Sequence, residues 1–320
     1  MENIQLNNIE FISKIGQGSY ASVYHAKLKT SGRGLAVKLI PSTGRGKDLS
    51  ALREIKYDTI LPDHYHLAKL EAKFTNVPQA NGSKVHCLVY DLMECDLSFF
   101  IRSYQSNGLL IEPFQVRDLM WQLVLAVEVI HHHNVMHRDL KPENLLLNSV
   151  VNPRLKMTDF GIAGEIVSSE AGRSSEVAAL AYRAPELLLG CTQYGGEIDM
   201  WSVGCIFAEL ISGEHLFGIV NPDNALDEVF KIVGTPTMVS WPEAAFLPKW
   251  PGIVEEHPVN FPEQLHRCGP LAFDLLTSLL TPNPRNRITA IEAMNHVYFA
   301  PCHIEFYKSV NLPGCRTIMD

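Results

Sequence analysis

Apolar and polar positions change rhythm along the chain. Up to about residue 90 the apolar residues fall in short β-rich runs: Ile9 with Phe11, the stretch around Val23, then Leu35-Ala36-Val37-Lys38-Leu39-Ile40. Lys69–Phe74 and Val85–Tyr90 predict two further strands. Between them, Asp48 is a candidate N-cap for a helix reaching Leu61, with Leu49, Leu52, Ile55 and Ile60 near one face. Beyond Tyr90–Asp96 the pattern turns helical. Pro113 opens a long helix carrying Leu119, Leu123, Val127 and Ile130 at helical spacing, whose stripe reads as core. A second helix is predicted over Ile198–Ile211, and Leu271–Phe299 reads as helical again. The Pro- and Trp-rich stretch 234–262 reads as irregular.

Composition narrows the classes. The 320 residues are 46% hydrophobic and 19% charged, enough to bury a large core and unlike a disordered chain. A net charge of −8 and a pI near 5.9 argue against direct nucleic-acid binding or an anionic membrane surface as the main partner. The seven cysteines form no CxxC pair, as expected of reduced thiols in cytosol or nucleus. The opening residues lack the basic, apolar make-up of a signal peptide. The best apolar helix, Leu119–Ile130, is interrupted by Gln122 and Glu128, so no membrane span is expected.

Gly16-Gln17-Gly18-Ser19-Tyr20-Ala21 lets backbone N–H groups approach a phosphate without a Cβ in the way. A strand follows it rather than a helix, against a dinucleotide fold, and the GK[ST] of a Walker loop is absent; alone it is equally a hairpin turn. The decisive stretch is His137-Arg138-Asp139-Leu140-Lys141-Pro142-Glu143-Asn144, followed by Asp159-Phe160-Gly161 and Ala184-Pro185-Glu186, with Lys38 upstream. With these in order, the chain resembles the eukaryotic protein kinases over about residues 9–299. The fold implied is α+β and two-lobed. An antiparallel β-sheet plus one helix makes the N-lobe (1–90), and a mainly helical C-lobe follows (91–320).

The resemblance implies ATP and Mg²⁺ as cofactors and gives residues their roles. Lys38 would hold the α- and β-phosphates and Glu54 would hold Lys38. Asn144 and Asp159 would bind Mg²⁺, Asp139 would accept the substrate proton, and Lys141 would neutralise charge at the transferred group. Ile15, Gly16, Gly18, Val23, Ala36 and Leu146 would line the nucleotide site. The backbone of Asp91 and Met93 would meet the adenine edge, with Tyr90 behind it, and Glu186 would pair with Arg287.

Ala51-Leu52-Arg53-Glu54-Ile55, the run from Tyr182 to Gly190, Asp199–Leu210 and Val233-Gly234-Thr235-Pro236 resemble the cyclin-dependent kinases. That implies a cyclin on the Asp48–Leu61 helix, Ser/Thr-Pro protein substrates, and a place in the nucleus or cytoplasm. Gly44–Ser50, Leu279-Leu280-Thr281, and Arg287-Ile288-Thr289 with Ala293-Met294 and Tyr298-Phe299 resemble the Mediator-associated branch, which partners cyclin C and acts in transcription.

Several positions depart from the pattern. Ala21 replaces a loop glycine. Ala179 replaces the Thr that bridges Asp139 and Lys141, and Ala181 replaces a Trp before Tyr182. Gly164 stands where a third arginine would join Arg53 and Arg138 around a phosphorylated Ser174. Ser19 and Tyr20 align with the family's inhibitory phosphorylation pair. His131-His132-His133 point in different directions from a helix and make a poor metal site. The alternatives are a pseudokinase scaffold, opposed by the intact Lys38, Glu54, Asp139, Asn144 and Asp159, and a MAP-kinase-like enzyme, opposed by the lack of a Thr-x-Tyr signature in Gly172–Val177.

Overall fold

A computed structural model describes residues 4–18, 21–42, 46–167, 173–219, 221–252 and 256–302. Strands β1 (Ile9–Gln17), β2 (Ser22–Leu28) and β3 (Gly34–Ser42) precede helix α1 (Gly46–Ile60), and β4 (Ala72–Pro78) and β5 (Lys84–Asp91) follow it. They form one antiparallel five-stranded sheet in the order β1-β2-β3-β5-β4. Two-residue periodicity separates its faces. Leu35, Val37, Cys87 and Val89 pack on one side with Ala26 and Leu28. Register pairs Val23 with Lys38, Lys38 with Leu88, and Ala36 with Tyr90, so these residues share the opposite face, under α1.

The second lobe starts with β6 (Cys95–Asp96), α2 (Leu97–Ser106) and α3 (Pro113–His132). Short strands β7 (Val135–Met136), β8 (Leu145–Leu147), β9 (Leu155–Met157) and β10 (Gly164–Glu165) frame the catalytic loop: β6-β8-β9 form one small sheet and β7-β10 another. Helices α4 (Pro185–Leu188), α5 (Glu197–Ser212), α6 (Ala225–Val233), α7 (Pro270–Leu279) and α8 (Ala290–Met294) complete the lobe. Every residue of α5 from Ile198 to Ile211 is buried, as expected of the central helix of a large core. Gly204 lets α7 come close: a Cβ there would lie 2.8 Å from the Leu280 side chain. Among the described residues no helix is long and apolar enough to cross a membrane.

Some expected elements move. Helix α1 starts at Gly46, so Asp48 sits in its first turn instead of capping it. Leu49, Leu52 and Ile60 face solvent, while Ala51, Glu54 and Tyr57 point inward. The fourth strand begins at Ala72; just before it the Leu70 N–H is taken by Asp58 Oδ1 at 2.9 Å and not by a neighbouring strand. Leu271–Phe299 is broken after Leu280 by Pro282 and Pro284, which lack the N–H a helix needs. The stretch 234–262 is irregular in its described part, yet Trp241 and Ala244 make a small core of their own with Leu189.

Candidate active site

The site lies between the lobes, around a cavity of about 830 Å³ bordered by Gly18, Val23, Lys38, Asp139, Asn144 and Asp159. Strand β3 delivers Lys38 and the inner face of α1 delivers Glu54. Lys38 Nζ lies 2.8 Å from Glu54 Oε2 and 2.8 Å from Asp159 Oδ1. Glu54 is 2% exposed. Burial works against the Lys38 ammonium, but Glu54 and Asp159 outweigh it and raise its pKa. Asp159 is likewise opposed by burial and held below the usual carboxylate range by Lys38. The Tyr90 hydroxyl donates to Glu54 Oε1 at 2.5 Å. Burial and the nearby carboxylate push the phenol's pKa well up, so it stays a donor.

Across the cleft the catalytic loop is tied to the core. His137 is fully buried. Its Nε2 faces the Thr158 carbonyl at 2.8 Å and its Nδ1 accepts from the Asp139 N–H at 3.2 Å, which fixes one tautomer. Arg138 takes φ +70 and Asp159 φ +66, left-handed conformations that the surroundings must hold. Asp199 of α5 supplies part of that hold. Its carboxylate accepts from the His137 N–H at 2.8 Å, the Arg138 N–H at 2.9 Å and His131 Nε2 at 2.9 Å. Burial opposes the Asp199 charge, and the bond from His131 and the nearby histidines bring its pKa below the ordinary value. The other two histidines go elsewhere: His133 to the Val129 carbonyl, His132 toward Glu128.

Lys141 Nζ contacts Asp139 Oδ2 directly at 2.9 Å, with Ala179 offering no bridging hydroxyl. Asn144 Nδ2 donates to the Asp139 carbonyl at 2.7 Å and to Asp139 Oδ2 at 3.1 Å; its own carbonyl oxygen takes part in neither bond. With Asp159 this makes two hard oxygen donors on one cavity wall. That set fits Mg²⁺, which uses few protein ligands and fills its shell with water and phosphate oxygens.

Ile15, Gly16, Ala36, Tyr90, Asp91, Met93 and Leu146 do not border this cavity. Ala36, Tyr90 and Asp91 lie at the β3–β5 end that leads to the second lobe, while Leu146 pairs with Asp96 and Ile15 is 53% exposed. Ser19 and Tyr20 lie outside the described residues. Ser174 is exposed, its hydroxyl accepting from the Glu176 N–H at 3.1 Å. No bond from Arg53 or Arg138 to the Ser174 side chain is seen among the described residues, and Arg138 reaches this stretch through Tyr194, whose hydroxyl donates to the Ser174 carbonyl. Arg53 is exposed on α1, and Arg138 donates to the Ile162 and Ala163 carbonyls. Glu186 and Arg287 pair in the core at 2.7 and 2.9 Å. The Tyr90 hydroxyl and the His131–Asp199 bond were not foreseeable from spacing, since each joins residues far apart in sequence.

The protein kinase domain family matches residues 9–299. Cyclin-dependent kinase B2-1 of Oryza sativa subsp. japonica is 36% identical over 300 residues, covering 93% of this chain and 91% of its own. Among solved structures, the CAK complex from Chaetomium thermophilum bound to ATP-gamma-S matches with a TM-score of 0.79 at 30% identity, covering 91% of both chains. The yeast RNA Pol II CTD kinase CTDK-1 complex also gives 0.79, at 29% identity over 93% of this chain and 95% of its own. With the Lys38–Glu54–Asp159 assembly facing Asp139, these likenesses make the chain a serine/threonine protein kinase of the cyclin-dependent kinase family.

Proposed function

We propose that the chain, with a cyclin on α1, transfers the γ-phosphate of Mg·ATP to Ser or Thr followed by Pro in protein substrates of transcriptional control. The observation that carries the catalytic reading is Lys38 bound to both Glu54 and Asp159 at 2.8 Å, opposite Asp139. Lys38 orients the α- and β-phosphates, and Asp139, held by Lys141 and Asn144, accepts the hydroxyl proton of the substrate and aims its oxygen. Lys141 offsets charge on the group in flight. Asn144 and Asp159 would hold Mg²⁺, which when bound neutralises the phosphate oxygens.

The proline preference is supported by Ala178, which sits at φ +64 with its carbonyl taken by Arg183 NH2 at 2.9 Å. A substrate amide after the acceptor residue then finds no partner there. Proline has no N–H to strand, whereas any other residue loses about 1–3 kcal/mol. The Mediator-like motifs Leu279-Leu280-Thr281 and Arg287-Ile288-Thr289 support cyclin C as the partner and a nuclear place. The test is labelled-phosphate transfer from Mg·ATP by the complex purified from its own cells, to paired Ser-Pro and Ser-Ala peptides, with Asp139→Asn as control. Transfer to the Ser-Pro peptide that vanishes in the variant is expected. No transfer despite ATP binding would instead favour a scaffold, with Ala179 and Ala181 the first positions to restore.

A further inference from the structure

The stretch 173–178 carries Ala178, whose carbonyl Arg183 holds, and its placement depends on what ties it to the lobe. The tie is cationic at one end. Arg173 donates to the Glu165 and Ile166 carbonyls at 2.9 Å each and to the Tyr194 carbonyl, and its Cζ lies 5.6 Å from the centre of the Tyr194 ring. The Tyr194 hydroxyl returns to the same stretch, donating to the Ser174 carbonyl at 2.6 Å. One planar guanidinium thus joins β10, the loop before α5 and the 173–178 stretch, which a single ammonium could not span. Arg138 is already committed. It donates to the Ile162 and Ala163 carbonyls and lies against Gly164, where a Cβ would fall 2.9 Å from its Cζ. Among the described residues Arg173 and the Tyr194 hydroxyl donate to neutral carbonyls, and the hydroxyl also meets the Arg138 side chain, so these bonds close without an added anion.

The geometry points to Arg173 as a positioning residue for the substrate-facing stretch, fixing it through Tyr194 without phosphorylation. This rests on the kinase reading. The Arg173→Ala chain, purified with its cyclin, is expected to lose about 10- to 100-fold in kcat/KM for a Ser-Pro peptide, with KM for ATP within about twofold of wild type. Arg173→Lys keeps the charge but loses the fork, and falls between. Hydrogen exchange of the amides of 173–178 is expected to speed up in Arg173→Ala by about 10-fold or more. Phosphatase treatment of the wild-type complex should leave peptide turnover unchanged. The assignment is overturned if Arg173→Ala matches wild type in peptide turnover and exchange. It is also overturned if ATP and peptide parameters fall together with the melting temperature, or if phosphatase alone reproduces the loss. If the wild-type complex transfers no phosphate, the kinase reading fails, and exchange at 173–178 alone decides the role of Arg173.

Discussion

Arg287→Met is the sharpest test of what anchors Glu186, a few residues beyond the stretch that carries Ala178. All five guanidinium N–H groups are used. Two meet Glu186, and the rest meet the carbonyls of Thr281, Pro282 and Glu197. The Arg287 side chain is 0% exposed and that of Glu186 2%. The guanidinium also lies 5.1 Å from the Trp201 ring centre. Met fills similar volume, so the loss is electrostatic more than steric. A carboxylate stranded by removal of its buried partner costs about 3–5 kcal/mol. At about 2–4 °C per kcal/mol for a unit of this size, melting should fall by about 6–20 °C. The assay is thermal unfolding of the purified chain, repeated on Glu186→Gln/Arg287→Met. The double variant removes the stranded charge and should recover at least about 1.5 kcal/mol, a coupling within the range for contacting pairs. If Arg287→Met melts within about 2 °C of wild type, or the two single losses simply add, the pair does not act as one buried unit.

Two further outcomes follow from the site. Tyr90→Phe removes the only hydroxyl donor seen on Glu54 among the described residues while keeping the ring, and should weaken the Lys38 arrangement by about 1.5–3 kcal/mol; a smaller ATP-induced rise in melting temperature checks it, and an unchanged rise would refute it. Asp199 has a folded pKa below its unfolded value of about 3.9, so its stabilisation is complete above that pH and is lost as pH falls through the lower folded value. His131→Gln removes a leading cause of that lowering and should move the acid-unfolding midpoint to higher pH; equal midpoints by circular dichroism would show that the bond carries no stability.

The elements with a two-residue rhythm were legible, and so was the face of β3 that carries Lys38, because alternation along a half-buried strand leaves little freedom. On the inward side of α1 only Glu54 was legible, from its motif and not from the apolar pattern. The buried positions of α1 include Glu54 and Tyr57, polar residues that a hydrophobic pattern assigns to solvent, while the leucines point out. Motif order located Asp139, Asn144 and Asp159, but nothing in it showed Arg138 spending its guanidinium on the Ile162 and Ala163 carbonyls. Gly164 was a visible departure; that Arg138 fills the space above it follows only from the turn between β9 and β10. Polar pairs across 60 or more residues, such as Asp199 with the His137 and Arg138 amides, leave no local signature.

The outward leucines of α1 bear on how such a site is switched. Inward, α1 packs Ala51 and Ile55 against Ile40 and Leu88 and adds polar contacts, Glu54 to Lys38 and Tyr90 and Asp48 to the buried His86 at 3.0 Å. Leu49, Leu52 and Ile60 are 53%, 51% and 44% exposed, so apolar area on this helix is left for another surface. A partner that covers them only when Glu54 reaches Lys38 would favour that position by the area it buries. At about 25 cal/mol per Å² even half-exposed leucines supply about 1–2 kcal/mol apiece, enough to shift a two-state helix roughly tenfold or more. On the cyclin reading, Leu49→Glu/Leu52→Glu should leave the melting temperature of the isolated chain nearly unchanged, weaken capture of the cyclin at least about tenfold, and lower peptide turnover in proportion to the complex lost. Undiminished binding would place the partner on another face. Binding lost together with the fold of the isolated chain would mean that these leucines serve the chain's own packing.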